Sequence, residues 1–320
     1  MRYPMKLRPA LKYRIWGGEK LKNEYGKATD IDRLGESWEL TVRDDGMSIV
    51  ENGIYAGKPL GEVLGDLGTD AVSPTYDGGV FPLLIKLIDA TDRLSVQVHP
   101  DDRYAAEKES DVGKTEMWVV LEAEEGAELI FDLRRGIGRA EFAAAVAAGD
   151  IESTLNACPV KAGDVFFIPS GMVHAIGAGI VIAEIQQNSD LTYRVYDYNR
   201  RQSDGSLREL HVEKALDVVR PFTTEEIDAI RYEAKNEGDG QETLAHCRYF
   251  CTDRLLLTKE AILCEANERS FHALLCVKGE GRILFAGEEF SIKKGESYFV
   301  PAKTGKYSLA GDGEILRATV

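Results

Sequence analysis

Short apolar runs closed by Gly, Pro, Asp or Asn recur along the whole chain of 320 residues. SWELTV, PLLIKLI, LSVQVH, EMWVVL, AELIFDL, DVFFIP, IVIAEIQ, FHALLCV and SYFVPA are examples. Runs of this length, bounded by turn formers, predict the strands of an all-β sandwich or barrel. Regular helical spacers do not separate them, which argues against a parallel α/β sheet. Helical spacing of apolar residues appears in three places: 59–67, an Ala-rich 139–157 broken around Gly149, and 212–232, where Thr223 and Glu226 stand in capping-box order.

A polar stretch, KNEGDGQETLAHC at 235–247, predicts a boundary near residue 240. The expected division is a catalytic 1–240 and a smaller C-terminal unit, 241–320. A weak internal repeat supports two similar units. KAGDVFFIPSGMVHAI (161–176) and KKGESYFVPAKTGKYSL (293–309) share Gly-x5-Pro, at Gly163 to Pro169 and Gly295 to Pro301. That pattern reads as turn, strand, turn. Beyond it the first copy has His174 and the second Lys306, and Phe271 stands roughly where an acidic partner would be expected. The C-terminal unit is therefore expected to lack metal ligands.

Charge narrows the partners. The chain has 39 Lys and Arg against 54 Asp and Glu, a net charge of −15. A chain this acidic is repelled by phosphate backbones, so nucleic acid is excluded as an expected partner. An anionic substrate would need a local basic patch. No run of apolar residues is long enough to span a bilayer, and no signal-peptide pattern is seen at the N-terminus. Five cysteines, none in a CxxC pair, fit a reduced cytoplasmic protein, and Cys247 and Cys251 read as core residues rather than metal ligands.

Four segments carry candidate chemistry. In LSVQVHPDD (94–102), period two puts Ser95, Gln97 and His99 on one face of a strand; taken alone, this is a strand with one solvated face. In GKTEMWVVL (113–121), Lys114 and Glu116 open an apolar strand; taken alone, they are a surface pair. In GDVFFIPSGMVHAI, the ordered spacing Gly-x5-Pro-x-Gly-x2-His places His174 just after a tight turn. Imidazole nitrogen with carboxylate oxygen suits zinc, which in catalytic sites keeps an open position, although ligand type alone also admits iron, manganese or nickel. Gln97 adds a neutral oxygen. In AEIQQNSDLTYRVYDYNR (183–200), Glu184 and Asp190 precede Arg194 and Arg200, whose planar forks suit phosphate.

LLIKLIDATDRLSVQVHPDD, GKTEMW, FFIPSGMVHAI and EIQQNSDLTYRVYD together resemble the type I mannose-6-phosphate isomerases in their short bacterial form. The resemblance implies a mainly β chain with two cupin-type jelly-roll β-barrels and a few short helices. It implies one zinc ion per chain, held by Gln97, His99, Glu116 and His174. Arg194 falls on the family's essential arginine, and Ser95 and Arg200 on its phosphate contacts. Lys86, Lys114, Glu184 and Asp190 match pocket residues. Ile176 stands at an aromatic position of the family, and the interval from His174 to Arg194 is one residue longer than in the eukaryotic form.

The implied reaction interconverts mannose 6-phosphate and fructose 6-phosphate by moving a proton between C1 and C2. The base stays open between Glu184, Asp190, Lys114 and a metal-bound water. Two rivals are a sugar-phosphate-sensing cupin without turnover and a cupin metalloenzyme for another sugar phosphate. The expected partner is a small sugar phosphate, without nucleic acid or membrane, for a monomer or small homo-oligomer.

Overall fold

The computed structural model describes residues 1–202, 204–226, 236–238 and 240–320. Strands dominate, as the apolar runs require, and they form three main sheets.

The first sheet runs in the order Val165–Ile168, Glu116–Ala123, Ile180–Gln187, Leu83–Ala90, Ala10–Gly18 and Leu34–Leu40. Its central strands, Leu83–Ala90 and Ile180–Gln187, are buried along their whole length. The second runs Leu155–Pro159, Glu128–Leu133, His174–Ala175, Val96–Val98 and Tyr193–Tyr196. A shared core binds the two, with Ile88, Trp118 and Ile182 of the first against Leu94, Leu129, Met172 and Ile176 of the second. Removing this apolar surface from water is the main force holding the sheets face to face.

The third sheet contains the C-terminal strands, but it also takes in two N-terminal ones. Met5–Arg8 pairs with Ser297–Val300 on one side and Ile49–Val50 on the other. A buried ion pair, Lys27 Nζ to Glu39 Oε1 at 2.6 Å, lies at the same junction, and Lys27 also donates to the Gly295 carbonyl. Ser297 Oγ donates to the Glu39 carbonyl at 3.1 Å. Gly295 has φ +85°, and a Cβ there would meet the Tyr25 carbonyl oxygen at 2.2 Å, so only glycine fits this turn. Among the described residues the pairings leave open sheet edges and close no barrel.

The helices match the apolar spacing with one correction. Leu60–Leu67 buries Leu60, Val63 and Leu64, the predicted stripe. The Ala-rich helix runs Arg139–Ala148 and stops at Gly149, which takes φ +74°. The rest of the predicted segment is a 3-10 turn, Ile151–Thr154, and the start of the strand Leu155–Pro159, because pairing with Glu128–Leu133 outweighs local helical spacing. Val212–Val218 is helical, and Thr223 and Glu226 exchange capping bonds, Glu226 N to Thr223 Oγ1 at 3.1 Å and Thr223 N to Glu226 Oε2 at 2.9 Å. The expected continuation at 227–232 lies outside the described residues. No described helix is long and apolar enough to cross a membrane.

Strand register also places the second copy of the repeat. Glu116 pairs with Ile168, just before Pro169, and His272 pairs with Val300, just before Pro301. His272, not Phe271, is thus the counterpart of Glu116. Lys306 points outward, and Tyr307 turns inward to meet His272 Nδ1 at 2.7 Å.

Candidate active site

Three neighbouring strands build the centre. His174 is directly opposite Gln97, and Gln97 is opposite Arg194 on its other side. Antiparallel register therefore sets an imidazole, an amide and a guanidinium side by side. Ser95 and His99 flank them on the same face of their strand. That face is not solvated: Ser95 and His99 are buried, because the first sheet covers it. From that sheet Glu116 reaches across, and Lys114, Lys86 and Glu184 line the space around it.

His99, Glu116 and His174 are the one group among the described residues with metal-ligand atoms gathered this closely. Their Nε2 atoms lie 3.1 Å apart, and Glu116 oxygens are 3.4 Å from His174 Nε2 and 3.6 Å from His99 Nε2. Each imidazole is oriented from behind. His99 Nδ1 lies 2.7 Å from the Leu191 carbonyl oxygen and His174 Nδ1 lies 2.9 Å from that of Met172, so each ring donates there and keeps Nε2 as an acceptor. The Gln97 amide is 3.2 Å from His174 Nε2 and can present its oxygen by turning about its last bond.

This cluster tests well as a cation site. Glu116 Oε2 pairs with Lys114 Nζ at 3.1 Å, but its buried Oε1 accepts no hydrogen bond, and an orphaned buried acceptor is costly. Burial, with Lys114 and the neighbouring ring adding to it, pushes the His99 imidazole well below its ordinary pKa, and burial pushes His174 down to about 4. Both rings are therefore neutral at neutral pH. Burial and then Glu184 push Glu116 up to about 7 against the opposing pull of Lys114. Two neutral imidazoles, a carboxylate and an amide make a donor set suited to zinc.

A cavity of about 470 Å³ opens beside the cluster, lined among others by Gln97, Lys114, Lys86, Glu184, Asp190, Ser95 and Arg194. Glu184 is fixed by a bond from Trp118 Nε1 at 2.9 Å and by Lys86 Nζ at 3.2 Å. Burial raises its pKa, but Lys86 and Lys114 outweigh that and hold the carboxyl below the usual range. Asp190 is more open and lies 3.9 Å from Lys86 Nζ. Arg194 donates to Ser95 Oγ at 3.2 Å and to the Glu209 carbonyl at 2.8 Å. Burial and then Arg208 lower its pKa, the mark of a desolvated cation beside another cation.

Arg200 departs from the expected placement. It does not line this cavity. Its guanidinium bonds to the Arg93 carbonyl, Asp92 and Asp197, and it borders a shallower hollow outside.

Residues not singled out in the sequence complete the walls. Arg14 and Glu36 form a two-pronged pair at 2.7 and 3.0 Å, and Glu36 also accepts from Trp38 Nε1 at 2.7 Å. Burial opposes the Glu36 charge, but Lys86 and Arg14 prevail and hold its pKa down to about 2. Arg208 and Gln202 line the same cavity. An arginine eight residues past Arg200, beyond a turn, has no local motif to mark it.

Known proteins resemble the chain over nearly its whole length. Residues 5–123 match the phosphomannose isomerase type I catalytic domain, and residues 241–320 match the mannose-6-phosphate isomerase cupin domain. The chain is 36% identical over 316 residues to a mannose-6-phosphate isomerase of Streptococcus mutans, covering 99% of this chain and 98% of that one. It is 36% identical to the mannose-6-phosphate isomerase ManA of Bacillus subtilis, with 98% of each covered. The crystal structure of a mannose 6-phosphate isomerase from Bacillus subtilis superposes with a TM-score of 0.90 at 33% identity, covering 99% of both chains. With identity sustained from end to end and both domain types in place, the chain belongs to the type I phosphomannose isomerases.

Proposed function

We infer that this chain is an aldose–ketose isomerase interconverting mannose 6-phosphate and fructose 6-phosphate. One observation carries the reading. A cation-ready cluster, two lysine–carboxylate pairs and an arginine bonded to a serine share one cavity, in a chain alike to named mannose-6-phosphate isomerases over its whole length.

Gln97, His99, Glu116 and His174 would hold one zinc ion. When bound, zinc supplies Lewis acidity toward oxygens of the sugar. The residues around it do the rest. The C–H next to a carbonyl is weakly acidic, so the enediolate oxygens need a preorganised positive field. Arg194, next to Gln97 and partly stripped of water, supplies it. Glu184, Lys114 and Asp190 are the groups placed to move the proton between C1 and C2. Glu184 is the buried carboxylate among them, kept ionised by Lys86, whose Nζ lies 3.2 Å from its Oε2. Ser95 binds the phosphate end. Binding there, remote from the reacting carbons, positions the sugar.

We propose further that the chain is built from two cupin-type jelly-roll units, the second without a metal, and that it works in the cytoplasm. The repeated Gly-x5-Pro turns, with Gly163 at φ +94° and Gly295 at φ +85°, support the first point.

The test is isomerisation of mannose 6-phosphate by the purified protein, before and after a chelator and with zinc added back. Activity should vanish and return. A preparation holding about one zinc per chain that leaves mannose 6-phosphate unchanged would sink the assignment.

A further inference from the structure

Among the described residues, no side chain of 241–320 belongs to the metal-capable cluster or lines the cavity beside it. One hairpin of the C-terminal unit nevertheless bonds to the segment that follows His99. Its strands, Gln241–His246 and Cys251–Leu257, are closed by Cys247 N on the Phe250 carbonyl at 2.9 Å. At the tip, Phe250 is buried and its ring lies 6.2 Å from that of Phe167. Phe167 pairs with Met117, the residue after Glu116, so the hairpin is seated on the sheet that supplies Glu116. From the same tip, Tyr249 OH donates to Asp102 Oδ2 at 2.8 Å, and Arg248 Nη2 bonds the same oxygen.

Asp102 passes this hold inward. It opens the helix Asp102–Glu109, and its Oδ1 accepts from Gly113 N at 3.1 Å and from Gln187 Nε2 at 2.9 Å. A Cβ at Gly113 would meet Asp102 N at 2.5 Å, so glycine is what lets the two segments approach this closely. Burial opposes the Asp102 charge, but the bonds from Gln187 and Tyr249 prevail and hold its carboxyl below the usual range. An ionised carboxylate only accepts hydrogen bonds. Asp102 therefore draws the Gln187 amide nitrogen toward itself and turns the amide oxygen the other way. That oxygen accepts from Thr115 N at 2.9 Å, and Gln187 N donates to the Thr115 carbonyl at 3.1 Å. Thr115 and Gln187 are both buried, so these bonds have no water to replace them. Thr115 stands between Lys114 and Glu116.

We propose that Asp102 is a positioning residue for Lys114 and Glu116, that Gln187 relays its hold to them, and that Tyr249 thereby makes the C-terminal unit a working part of the active site. The effect on turnover rests on the isomerase reading; the effect on the metal does not. Lys114 Nζ and Glu116 Oε2 lie 3.1 Å apart, so a shift at Thr115 displaces a metal ligand and a proton-transfer candidate together. Groups of this kind must be held to about 0.5 Å, and the bonds behind them set that precision. Arg248 is the weaker donor, since its side chain is 71% exposed and ion pairs in water contribute little.

The experiment compares Asp102→Ala, Asp102→Asn, Gln187→Met, Tyr249→Phe and the double variant Asp102→Ala with Tyr249→Phe in the full chain. It measures zinc affinity by competition with a chromogenic chelator, kcat and KM for mannose 6-phosphate in zinc-loaded protein, and folding by urea titration. Loss of a supporting group predicts zinc affinity and kcat each down about 10- to 100-fold in Asp102→Ala, with KM within about threefold. Asp102→Asn keeps one acceptor oxygen and should recover part of the loss. Tyr249→Phe should lower kcat about 2- to 30-fold. That effect should vanish in the Asp102→Ala background, because both act through one path. If Asp102→Ala does not fold, Gln187→Met carries the same prediction. Unchanged zinc affinity and kcat in folded Asp102 and Gln187 variants overturn the proposal, even where the urea midpoint drops. Additive losses from Tyr249→Phe and Asp102→Ala overturn the role given to the C-terminal unit. A wild type that leaves mannose 6-phosphate unchanged, with zinc affinity still falling in Asp102→Ala, would uphold the positioning role and reject the isomerase reading.

Discussion

His99 and His174 face each other through Nε2 atoms 3.1 Å apart, each ring held from behind by a backbone carbonyl. Two acceptors do not bond one another, so the pair is shaped for something electron-poor between them. Treatment with a chelator should abolish activity, and zinc should raise the melting temperature of the stripped protein, since a ligand of the native state alone stabilises it. Glu116→Gln should retain zinc about 10- to 100-fold more weakly, by analogy with lost supporting contacts at metal sites. Metal content by mass spectrometry after dialysis checks this, and stoichiometric zinc in Glu116→Gln would contradict it.

Arg194 stands beside Gln97 and reaches Ser95. If it stabilises developing charge, Arg194→Ala should lower kcat by about 100- to 1000-fold, with a smaller rise in KM. Steady-state kinetics on zinc-loaded enzyme decide it. Full kcat with zinc still bound would remove Arg194 from the chemistry.

Glu184 is clamped between Trp118 Nε1 and Lys86 Nζ. Glu184→Gln keeps the shape and removes the negative charge. Loss of a general base predicts kcat down by about 100-fold or more. Retained kcat in a folded, zinc-loaded variant would pass the proton-transfer role to Lys114 or Asp190.

Lys27 and Glu39 form a buried ion pair where the N-terminal strands meet the turn at Gly295. Lys27→Ala leaves a buried carboxylate without its cation, which costs about 3–5 kcal/mol. Urea titration should show the midpoint falling accordingly, and a loss under about 1 kcal/mol would mean that water replaces the lysine.

His272 gives a pH dependence away from the metal cluster. Burial and then Arg317 push its imidazole down to about 3. In the unfolded chain it titrates near about 6.5. Below that pH the unfolded state binds a proton that the native state refuses, so stability is full above about 6.5 and falls as pH drops toward 3. One such proton gives a slope of at most about 1.4 kcal/mol per pH unit. His272→Gln should flatten the stability profile between pH 4 and 6 in denaturant titrations. An unchanged slope would show that His272 stays neutral in both states or charges in the fold.

Local patterns made much of this molecule legible. Strand-length apolar runs marked the β architecture, because burying both faces of a central strand requires an unbroken apolar stretch such as LLIKLIDA. Leu60, Val63 and Leu64 marked a helix by spacing alone. The ligand types and the alternation Ser95, Gln97, His99 were readable too, since period two is a property of the strand itself. Other features needed the folded chain. Whether that polar face met water or a second sheet is decided by packing across about 10 Å, which no local window contains. Leu155 to Ala157 read as helix by spacing but fold as strand through partners at Glu128–Leu133. Arg200 and Arg208 are both arginines on one polar segment. Only the bridge between Arg201 and Leu207 and the shared Asp197 decide which of them faces the cavity, because the direction of a long side chain is set by the groups that hold its far end.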